Sequence, residues 1–426
     1  MNSQQRKGYS VSASTTLRLI ILMLICNTAV TIYSPVQAAN TEPPLKNIEC
    51  LFNWAQTFYP ELFSPLVSSA EFSSPYTYRY FPTTNAYLGV SSVDNHVYYK
   101  GPDSSLQDVG DLSTWLKMSG CGEKLYPVIF IHGLASSADT WKSYRNYLIN
   151  NGNSIFGGNP VYNYATKSVE IQCPTDLSSL DFCTGSAGDF YSLNFSNSQG
   201  LSLDVQGGEL SVIIEAVLAA NPDKTKVILV SHSSGGLIAR EYLQGLARVS
   251  DSVTRIPYRE DVAKLMMIGT PHQGSFWAEQ CRNQFDILNF SGDVGICALL
   301  SLDIDPESTA VKELKPDSEA LNILNDLNTY PLPSNVSYVS IIGTGQPTLV
   351  SLVDSDDGDG IVSRISQDLM TVAGNLLPLH ESVNIDIAFQ ECGNNLDVPF
   401  VGKIGETHTC ETTDISVGAK ILSNLQ

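Results

Sequence analysis

The sequence predicts an α/β fold, a mostly parallel sheet with helices on both faces, preceded by a small α+β domain. Length is the first reason, because 426 residues exceed one domain at ~150 residues each. The second is that strand-length apolar runs alternate with helical patterns from residue 122 onward. The third is that residues 39–121 are instead rich in tyrosines that alternate along strand-like stretches.

The composition indicates a globular protein and argues against one class of function. Hydrophobic residues make up 43% and charged residues 16%, which is typical of a globular protein. Lys and Arg total 24 against 44 Asp and Glu, a formal charge of −20. Because phosphate recognition needs a basic surface, the charge argues against nucleic-acid binding.

The first 38 residues have the pattern of a secretory signal peptide. Arg6, Lys7 and Arg18 precede an apolar run over 19–32, and a Val-Gln-Ala triplet ends at Ala38. We expect cleavage after Ala38 and export to the periplasm or the medium. The alternative is an uncleaved membrane anchor, for which the apolar run is short.

Eight cysteines follow the predicted signal peptide, an even number that suggests disulfides in an exported chain. A structural zinc site is the alternative, but the chain contains no Cys-x-x-Cys pair. The cysteines fall into four neighbouring pairs, predicted as Cys50–Cys121, Cys173–Cys183, Cys281–Cys297 and Cys392–Cys410.

Residues 39–121 are predicted to form the small α+β domain, with helices near 53–55 and 112–118 and a Cys50–Cys121 disulfide. The segment resembles a small N-terminal module of exported bacterial proteins. Its tyrosines either form the core of a small sheet, the interpretation we favour, or bind a polymer or carbohydrate.

Residues 122–426 are predicted to carry the parallel sheet and its helices. The predicted strands cover residues 128–132, 161–164, 227–230, 265–268 and 336–342. The predicted helices cover residues 140–148, 205–220 and 237–246.

The sharpest motif is a turn between the strand at 227–230 and the following helix, with the sequence Val-Ser-His-Ser-Ser-Gly-Gly over 230–236. A serine on such a tight turn has a strained backbone and needs small flanking residues. Ser231 and Gly235 flank Ser233 in this way, although Ser231 departs from the usual Gly-x-Ser-x-Gly pattern. Ser233 is therefore the candidate nucleophile, and an accidental serine-rich turn is the alternative.

Residues 125–426 resemble the α/β-hydrolase lipases and esterases through four segments in the family's order. The resemblance implies that the backbone N–H groups of Leu134 and Ser234 form an oxyanion hole. It also implies an acid and then a histidine after the nucleophile. The segments are Pro-Val-Ile-Phe-Ile-His-Gly-Leu over 127–134, the serine turn, Gly-Thr-Pro-His-Gln-Gly-Ser over 269–275, and Asp-Gly-Ile-Val over 359–362 with the terminal histidine.

By this resemblance His408 is the base, because it lies in a loop before the last amphipathic helix. His380 is the alternative. His132 is expected to order its loop, His232 lies too close to Ser233 in sequence to act as its base, and His272 is interpreted as structural.

Asp359 is the predicted acid, and it would hold the His408 imidazole in the reactive tautomer. Three other aspartates of the same loop are alternatives, with Asp357 the nearest in sequence, followed by Asp356 and Asp354. The cluster could instead bind calcium, but it does not fit the EF-hand spacing. We expect no cofactor and no metal.

Residues 276–330 form an apolar-rich insertion, predicted to be a lid over the site; ordinary core helices are the alternative.

Together these features predict a secreted serine carboxylic ester hydrolase, lipase- or esterase-like, that works through an acyl-enzyme. We expect an ester or lipid substrate, a monomer, and transient contact with a lipid interface through the lid. The alternatives are an acyltransferase or phospholipase with the same triad, or a non-enzymatic surface-binding protein.

Overall fold

The structure is a computed structural model of the chain. The structure describes residues 45–58, 76–81, 86–101, 105–119, 121, 125–150, 154–175, 183–249, 253–280, 304–351, 354–387, 395–398, 402–405 and 407–425. The predicted signal peptide and Cys281, Cys297 and Cys392 lie outside these residues. The chain divides into two compact units, 1–122 and 123–426.

The first unit contains a four-stranded antiparallel sheet and two helices. A disulfide joins Cys50 in the first helix to Cys121, as predicted. The strands follow one another in chain order in the sheet. The elements are α1 (Leu45–Phe58), β1 (Tyr76–Phe81), β2 (Ala86–Ser91), β3 (His96–Lys100), β4 (Gln107–Asp111) and α2 (Leu112–Ser119).

The tyrosines of the first unit lie mainly on the sheet face opposite α1. Arg79 on β1 donates a hydrogen bond to Asn53 of α1, so the neighbouring Tyr78 and Tyr80 point to the other face. The favoured interpretation of the tyrosines as core is therefore correct for Tyr99, which is 9% exposed, but not for those that are only half-buried. The half-buried tyrosines are Tyr76, Tyr78, Tyr80, Tyr87 and Tyr98.

The second unit is built on an eight-stranded sheet with the order β14-β11-β10-β9-β5-β8-β6-β7. Every pairing is parallel except that of β6 with β7, which confirms the predicted mostly parallel sheet. Its strands are β5 (Val128–Ile131), β6 (Phe156–Asn163), β7 (Ser168–Gln172), β8 (Phe190–Ser192), β9 (Val227–His232), β10 (Val262–Ile268), β11 (Ser337–Thr344) and β14 (His380–Asp386).

Helices and two small hairpins surround this sheet. The α-helices are α3 (Lys142–Asn150), α4 (Leu203–Ala220), α5 (Gly235–Leu243), α6 (Phe276–Gln280), α7 (Thr309–Glu313), α8 (Glu319–Leu324), α9 (Arg364–Gln367), α10 (Met370–Ala373) and α11 (Ile415–Leu422). Short 3-10 helices cover Ala138–Trp141, Gly374–Leu376 and Thr409–Thr412. The hairpins are β12 (Gln346–Leu349) with β13 (Ser355–Gly358), and β15 (Asn395–Val398) with β16 (Gly402–Gly405).

Both faces of the central strands are covered. All four residues of β5 and all six of β9 are buried, although successive side chains point to opposite faces. On one face, Leu229 and Met267 pack with the buried side chains of α4 and α5. On the other, Phe130 packs against Trp141 with ring centroids 5.0 Å apart. This burial explains why the strands read as continuous apolar runs.

The predicted strands and helices exist, with shifts at their ends. The strand predicted over 161–164 is the C-terminal half of the longer β6, and the helix predicted at 140 begins with a 3-10 turn. Three strands of the eight-stranded sheet were not predicted, namely β7, β8 and β14, and neither were the two small hairpins. The first and last are edge strands that alternate partly buried with exposed residues, so they lack a long apolar run.

The described parts of the predicted insertion pack into the core. Ala278 and Leu314 belong to the main apolar cluster, as do Val311 and Leu324, which are fully buried. These parts match the alternative of ordinary core helices. Residues 281–303, the remainder of the predicted lid, lie outside the described residues.

Among the described residues, none of the helices combines the length and the apolar character needed to span a membrane.

Candidate active site

Ser233 directly follows the carboxyl end of β9 and is the first of the two residues that separate β9 from α5. Its φ is +56°, in the left-handed region that non-glycine residues rarely adopt. Hydrogen bonds hold this conformation: the Ser233 N–H donates to the Ile268 carbonyl at 2.8 Å, and the Gly236 N–H donates to the Ser233 carbonyl at 3.1 Å. The strained turn expected from the sequence is therefore present at Ser233.

The two positions flanking Ser233 differ in how much side chain they accept. A Cβ atom at Gly235 would lie 2.7 Å from the carbonyl oxygen of His132, so a side chain there would collide with the main chain. At the other flank, the buried Ser231 hydroxyl donates a 3.0 Å hydrogen bond to the Met266 carbonyl on β10. The departure from glycine at 231 is tolerated because a hydroxymethyl group fits and is hydrogen-bonded there.

Asp359 directly follows β13, in the hairpin that extends from the carboxyl end of β11. Its carboxylate is fully buried, and the Oδ1 atom accepts hydrogen bonds from the Ile361 and Val362 N–H groups at 2.8 and 2.7 Å. The Oδ2 atom lies 2.8 Å from Nδ1 of His408. Both carboxylate oxygens are thus oriented, one by the loop backbone and the other by the imidazole.

The other aspartates of the loop have local partners instead. The Asp357 carboxylate accepts a hydrogen bond from the Gly345 N–H at 2.8 Å, and that of Asp354 accepts one from the Ser355 N–H at 2.9 Å. These hydrogen bonds stabilise the turns at the two ends of the β12–β13 hairpin. Of the four aspartates, Asp359 is the one that contacts a histidine.

His408 begins the 3-10 turn Thr409–Thr412 and is 6% exposed. Its loop is tied to the acid loop, because the Thr407 N–H and hydroxyl both donate to the Asp359 carbonyl, at 2.9 and 3.2 Å. Cys410, two residues further on, is disulfide-bonded to a residue outside the described part of the chain. The Cys392–Cys410 pairing therefore stays a prediction, as does Cys281–Cys297, whereas Cys173–Cys183 is present.

His380, the alternative base, lies elsewhere. It is paired with Tyr338 at the start of β11, so it occupies the amino end of the sheet, opposite the end that carries Ser233. Its Nε2 lies 3.1 Å from the Ser340 hydroxyl. Burial lowers the pKa of this ring.

His132 and His232 are buried beside the nucleophile and stay neutral. Burial lowers the pKa of His132 to about 4, and its Nδ1–H donates to the Gly133 carbonyl at 2.9 Å. Burial and the neighbouring His408 hold the pKa of His232 well below its ordinary value. The His232 Nε2–H donates to the His408 carbonyl at 2.9 Å, and the two rings lie 4.5 Å apart.

His272 is fully buried next to the cationic Arg240. An Arg240 N–H donates to Nδ1 of His272 at 3.1 Å, and burial followed by the Arg240 charge holds the pKa of His272 well below its ordinary value. A second guanidinium nitrogen donates to the Leu324 carbonyl at 2.7 Å. His272 thus connects the end of β10 to the α8 region, in agreement with its structural interpretation.

A cavity of about 380 Å³ brings the predicted site residues together. Ser233, His408 and Leu134 line it, and Asp359 lies behind His408. Its other apolar lining residues include Trp277, Ile304, Leu314, Ile361 and Val362, and its polar lining includes Ser136, Thr140, Thr409 and Thr412.

One group in the described part of the chain has the spacing of metal ligands: His232, His408 and Glu411, whose ligand atoms lie within 4.8 Å of one another. In the structure these side chains are used otherwise. His232 donates to a carbonyl and His408 contacts Asp359, so both rings already have specific partners. The two histidines line the cavity, and Glu411 is fully buried beside them.

The sequence of the chain matches a known protein family. Residues 124–350, just over half of the chain, match the family described as the PGAP1-like alpha/beta domain. The chain belongs to this family. Its fold is that of the α/β hydrolases, as the sheet topology also indicates. The family match includes Ser233 and ends before Asp359 and His408.

Solved structures similar to the chain include three that differ in coverage. EstA from Clostridium botulinum is 14% identical, covering 90% of this chain and 97% of its own, with a TM-score of 0.38. The mature lipase BlEst2 of Bacillus licheniformis is 16% identical over 62% and 84%, with a TM-score of 0.36. The product of the Listeria innocua gene lin2722 is 18% identical over 61% and 84%, with a TM-score of 0.38. None of the curated proteins matches the chain.

One acidic residue of the site, Glu411, was not predicted from the sequence. Its side chain is fully buried, 3.5 Å from Nδ1 of His408 and 3.3 Å from Nε2 of His232. The available signal was the spacing, since residues three apart share one face of a helical turn. Trp277 and Ile304 of the insertion also line the cavity, which sequence could suggest only as a general lid.

Proposed function

We propose that this member of the PGAP1-like family is an exported serine carboxylic ester hydrolase of the lipase or esterase type. The observation that carries the proposal is the 2.8 Å contact between Asp359 and His408, behind a cavity that is lined by both His408 and the strained Ser233. A nucleophile, a base and an acid that orients the base are the three elements of acyl-transfer catalysis.

In the proposed reaction the Ser233 Oγ attacks the ester carbonyl while Nε2 of His408 takes the hydroxyl proton. Asp359 keeps the other imidazole proton on Nδ1 and stabilises the imidazolium that forms. His408 then gives its proton to the departing alcohol. Water attacks the acyl-enzyme in a second cycle of the same proton transfers, and the acid is released.

The oxyanion hole is proposed at the backbone N–H groups of Leu134 and Ser234. Ser234 immediately follows the nucleophile at the start of α5, where helical N–H groups favour negative charge. Gly133, next to Leu134, is so close to the nucleophile that a Cβ atom there would lie 2.7 Å from the Ser233 Cβ. This close approach supports Leu134 as the second donor, because the loop passes directly over Ser233.

The cavity lining supports an acyl substrate. Apolar side chains such as Leu134, Leu314 and Val362 surround Ser233, and they would bind the hydrocarbon part of an ester. The volume of about 380 Å³ lies within the range of small-molecule sites. Export is supported by the two disulfides of the described residues, which persist in oxidising compartments.

The proposal is tested with a series of p-nitrophenyl esters from acetate to palmitate, comparing wild type with Ser233→Ala. We expect the variant to lose at least ~10⁴-fold in kcat while its fold stays intact. Ser231→Ala is the matched control, because its hydroxyl faces Met266 and not the cavity; it should keep most of the activity.

A serine-directed phosphonate should label Ser233 in wild type and nothing in Ser233→Ala. Labelling at Ser231 or Ser234, or turnover that survives in Ser233→Ala, would reject the assignment. Adding an alcohol acceptor to the assay distinguishes hydrolysis from acyl transfer through the products, and a glycerophospholipid substrate tests the phospholipase alternative.

A further inference from the structure

Glu411 is a second buried carboxylate at the base, in addition to Asp359. The side chains of both acids are fully buried. Oε2 of Glu411 lies 3.5 Å from the same Nδ1 atom of His408 that Asp359 contacts at 2.8 Å. The Nδ1 edge of the imidazole is therefore flanked by two acids.

The fold contains a specific space for the Glu411 carboxylate. A Cβ atom at Gly269 would lie 2.2 Å from its Oε2 atom, and a Cβ atom at Gly343 would lie 2.1 Å from its Oε1 atom. These glycines stand at the carboxyl end of β10 and near that of β11. Because any side chain at either position would displace the carboxylate, both glycines are needed to bury Glu411 beside His408.

His232 joins this acid to the nucleophile turn. Its Nε2 lies 2.9 Å from the His408 carbonyl and 3.3 Å from Oε2 of Glu411. A neutral His232 with its proton on Nε2 donates to the His408 carbonyl, and the same edge of the ring lies against the Glu411 carboxylate. The residue directly before Ser233 therefore holds the base loop and contacts the second acid.

We propose that Glu411 is a positioning residue, a second carboxylate that together with Asp359 orients the His408 imidazole and stabilises its protonated form. This inference rests on the proposed function, in which His408 becomes an imidazolium when Ser233 attacks. Asp359 would set the tautomer through its shorter contact, and Glu411 would act mainly through its charge.

The groups that face the His408 ring from the surrounding elements determine the expected change in the pKa of His408. Asp359 of the acid loop and Glu411 of its own turn are the acids, and His232 of β9 contributes a neutral ring. Tyr144 of α3 donates to the main-chain carbonyls of Glu411 and Asp414, which fixes the turn. An anion 3.5 Å from the imidazole favours its charged form, and such neighbours shift a pKa by roughly 1–3 units.

The test measures the His408 pKa by NMR in a Ser233→Ala background, with and without Glu411→Gln. We expect the substitution to lower that pKa by about 1 unit. In the active enzyme, Glu411→Gln should move the acidic limb of the kcat/KM profile to lower pH by the same amount. It should also reduce kcat by about tenfold, the factor that corresponds to one pKa unit.

Glu411→Asp keeps the charge near the ring, so it should restore most of the His408 pKa. Glu241→Gln is the matched control, since Glu241 is a buried glutamate of α5, 4% exposed, that does not line the cavity; its pH profile should equal that of wild type. If Glu411→Gln does not fold, ¹³C NMR of the Glu411 carboxyl in Ser233→Ala tests the proposal by measuring whether that carboxyl is ionised. An ionised carboxylate at pH 7 supports the proposal, and a carboxyl protonated throughout overturns it.

A His408 pKa that is unchanged in Glu411→Gln, or that falls equally in Glu411→Asp, would reject the proposal. Both outcomes are independent of turnover. Failure of the proposed function has a different signature, namely wild-type protein without ester turnover and without phosphonate labelling at Ser233.

Discussion

Replacing Asp359 by asparagine tests the catalytic geometry with almost no change in volume. In the native loop, Oδ1 accepts from the N–H groups of Ile361 and Val362, at 2.8 and 2.7 Å. An amide nitrogen cannot accept these bonds, so the asparagine carbonyl must remain at the Oδ1 position. The NH₂ group then occupies the Oδ2 position, 2.8 Å from Nδ1 of His408.

That arrangement forces the wrong tautomer of the base. Nδ1 must accept a hydrogen bond from the amide, so the imidazole proton moves to Nε2, the atom that accepts the Ser233 proton in the proposed mechanism. A protonated Nε2 cannot take the hydroxyl proton, and the loss in kcat should be about 10⁴-fold, or ~5 kcal/mol of transition-state stabilisation. The two loop hydrogen bonds remain, so the fold should be unaffected.

The assay is the turnover of a p-nitrophenyl ester, with circular dichroism as the check on folding. Asp357→Asn is the matched control because that carboxylate faces the Gly345 N–H, and it should stay within about twofold of wild type. If Asp359→Asn retains more than a tenth of the wild-type kcat, or if Asp357→Asn is the damaging change, the acid has been assigned wrongly.

His408→Ala should abolish turnover and His380→Ala should leave most of it, as measured with the same ester; the reverse would make His380 the base. Burial raises the pKa of Glu241 from 4.5 to about 8, so the folded chain keeps a proton that the unfolded chain releases above pH 4.5. The free energy of unfolding should therefore fall by on the order of 5 kcal/mol as pH rises from about 4.5 to 8. In Glu241→Gln this pH-dependent fall should be absent, as measured by Tm against pH. If a Cys392–Cys410 disulfide anchors the His408 loop, a Cys392→Ser, Cys410→Ser double variant should lose activity well below its Tm; full activity would reject that role, and a different partner in peptide mapping would reject the pairing.

The sequence allowed the fold class to be predicted because the central strands are buried on both faces. Continuous apolar runs such as 227–230 have no other simple explanation when helical patterns surround them. The edge strand β14 gave no such signal, since its residues are only partly buried or exposed. The hairpin β12–β13 was missed because its second strand, Ser355–Gly358, consists of turn-forming residues, so its aspartates were interpreted as a loop.

The candidate site was predictable to different extents for different residues. Ser233 could be assigned from local chemistry, because a strained turn restricts which residues flank it. Asp359 was chosen by resemblance among four aspartates, and distance to His408 is what separates them in the structure. Glu411 was not predicted at all, although its spacing of three from His408 was visible. Its other neighbours lie far away in sequence: His232 is 179 positions earlier, and Gly269 and Gly343 have no side chain from which a buried carboxylate could be inferred.

The sheet order explains how these distant residues meet. β9, β10 and β11 are adjacent and parallel, so their carboxyl ends lie side by side and carry Ser233, Gly269 and the acid hairpin at one edge. The left-handed backbone at Ser233 costs roughly 1–3 kcal/mol, and the hydrogen bond from its N–H to Ile268 on β10 helps to maintain it. The register between β9 and β10 therefore fixes the nucleophile and, through Gly269, the space behind His408. A one-residue shift of that register would move Ser233 away from the base and close the space for Glu411 at the same time.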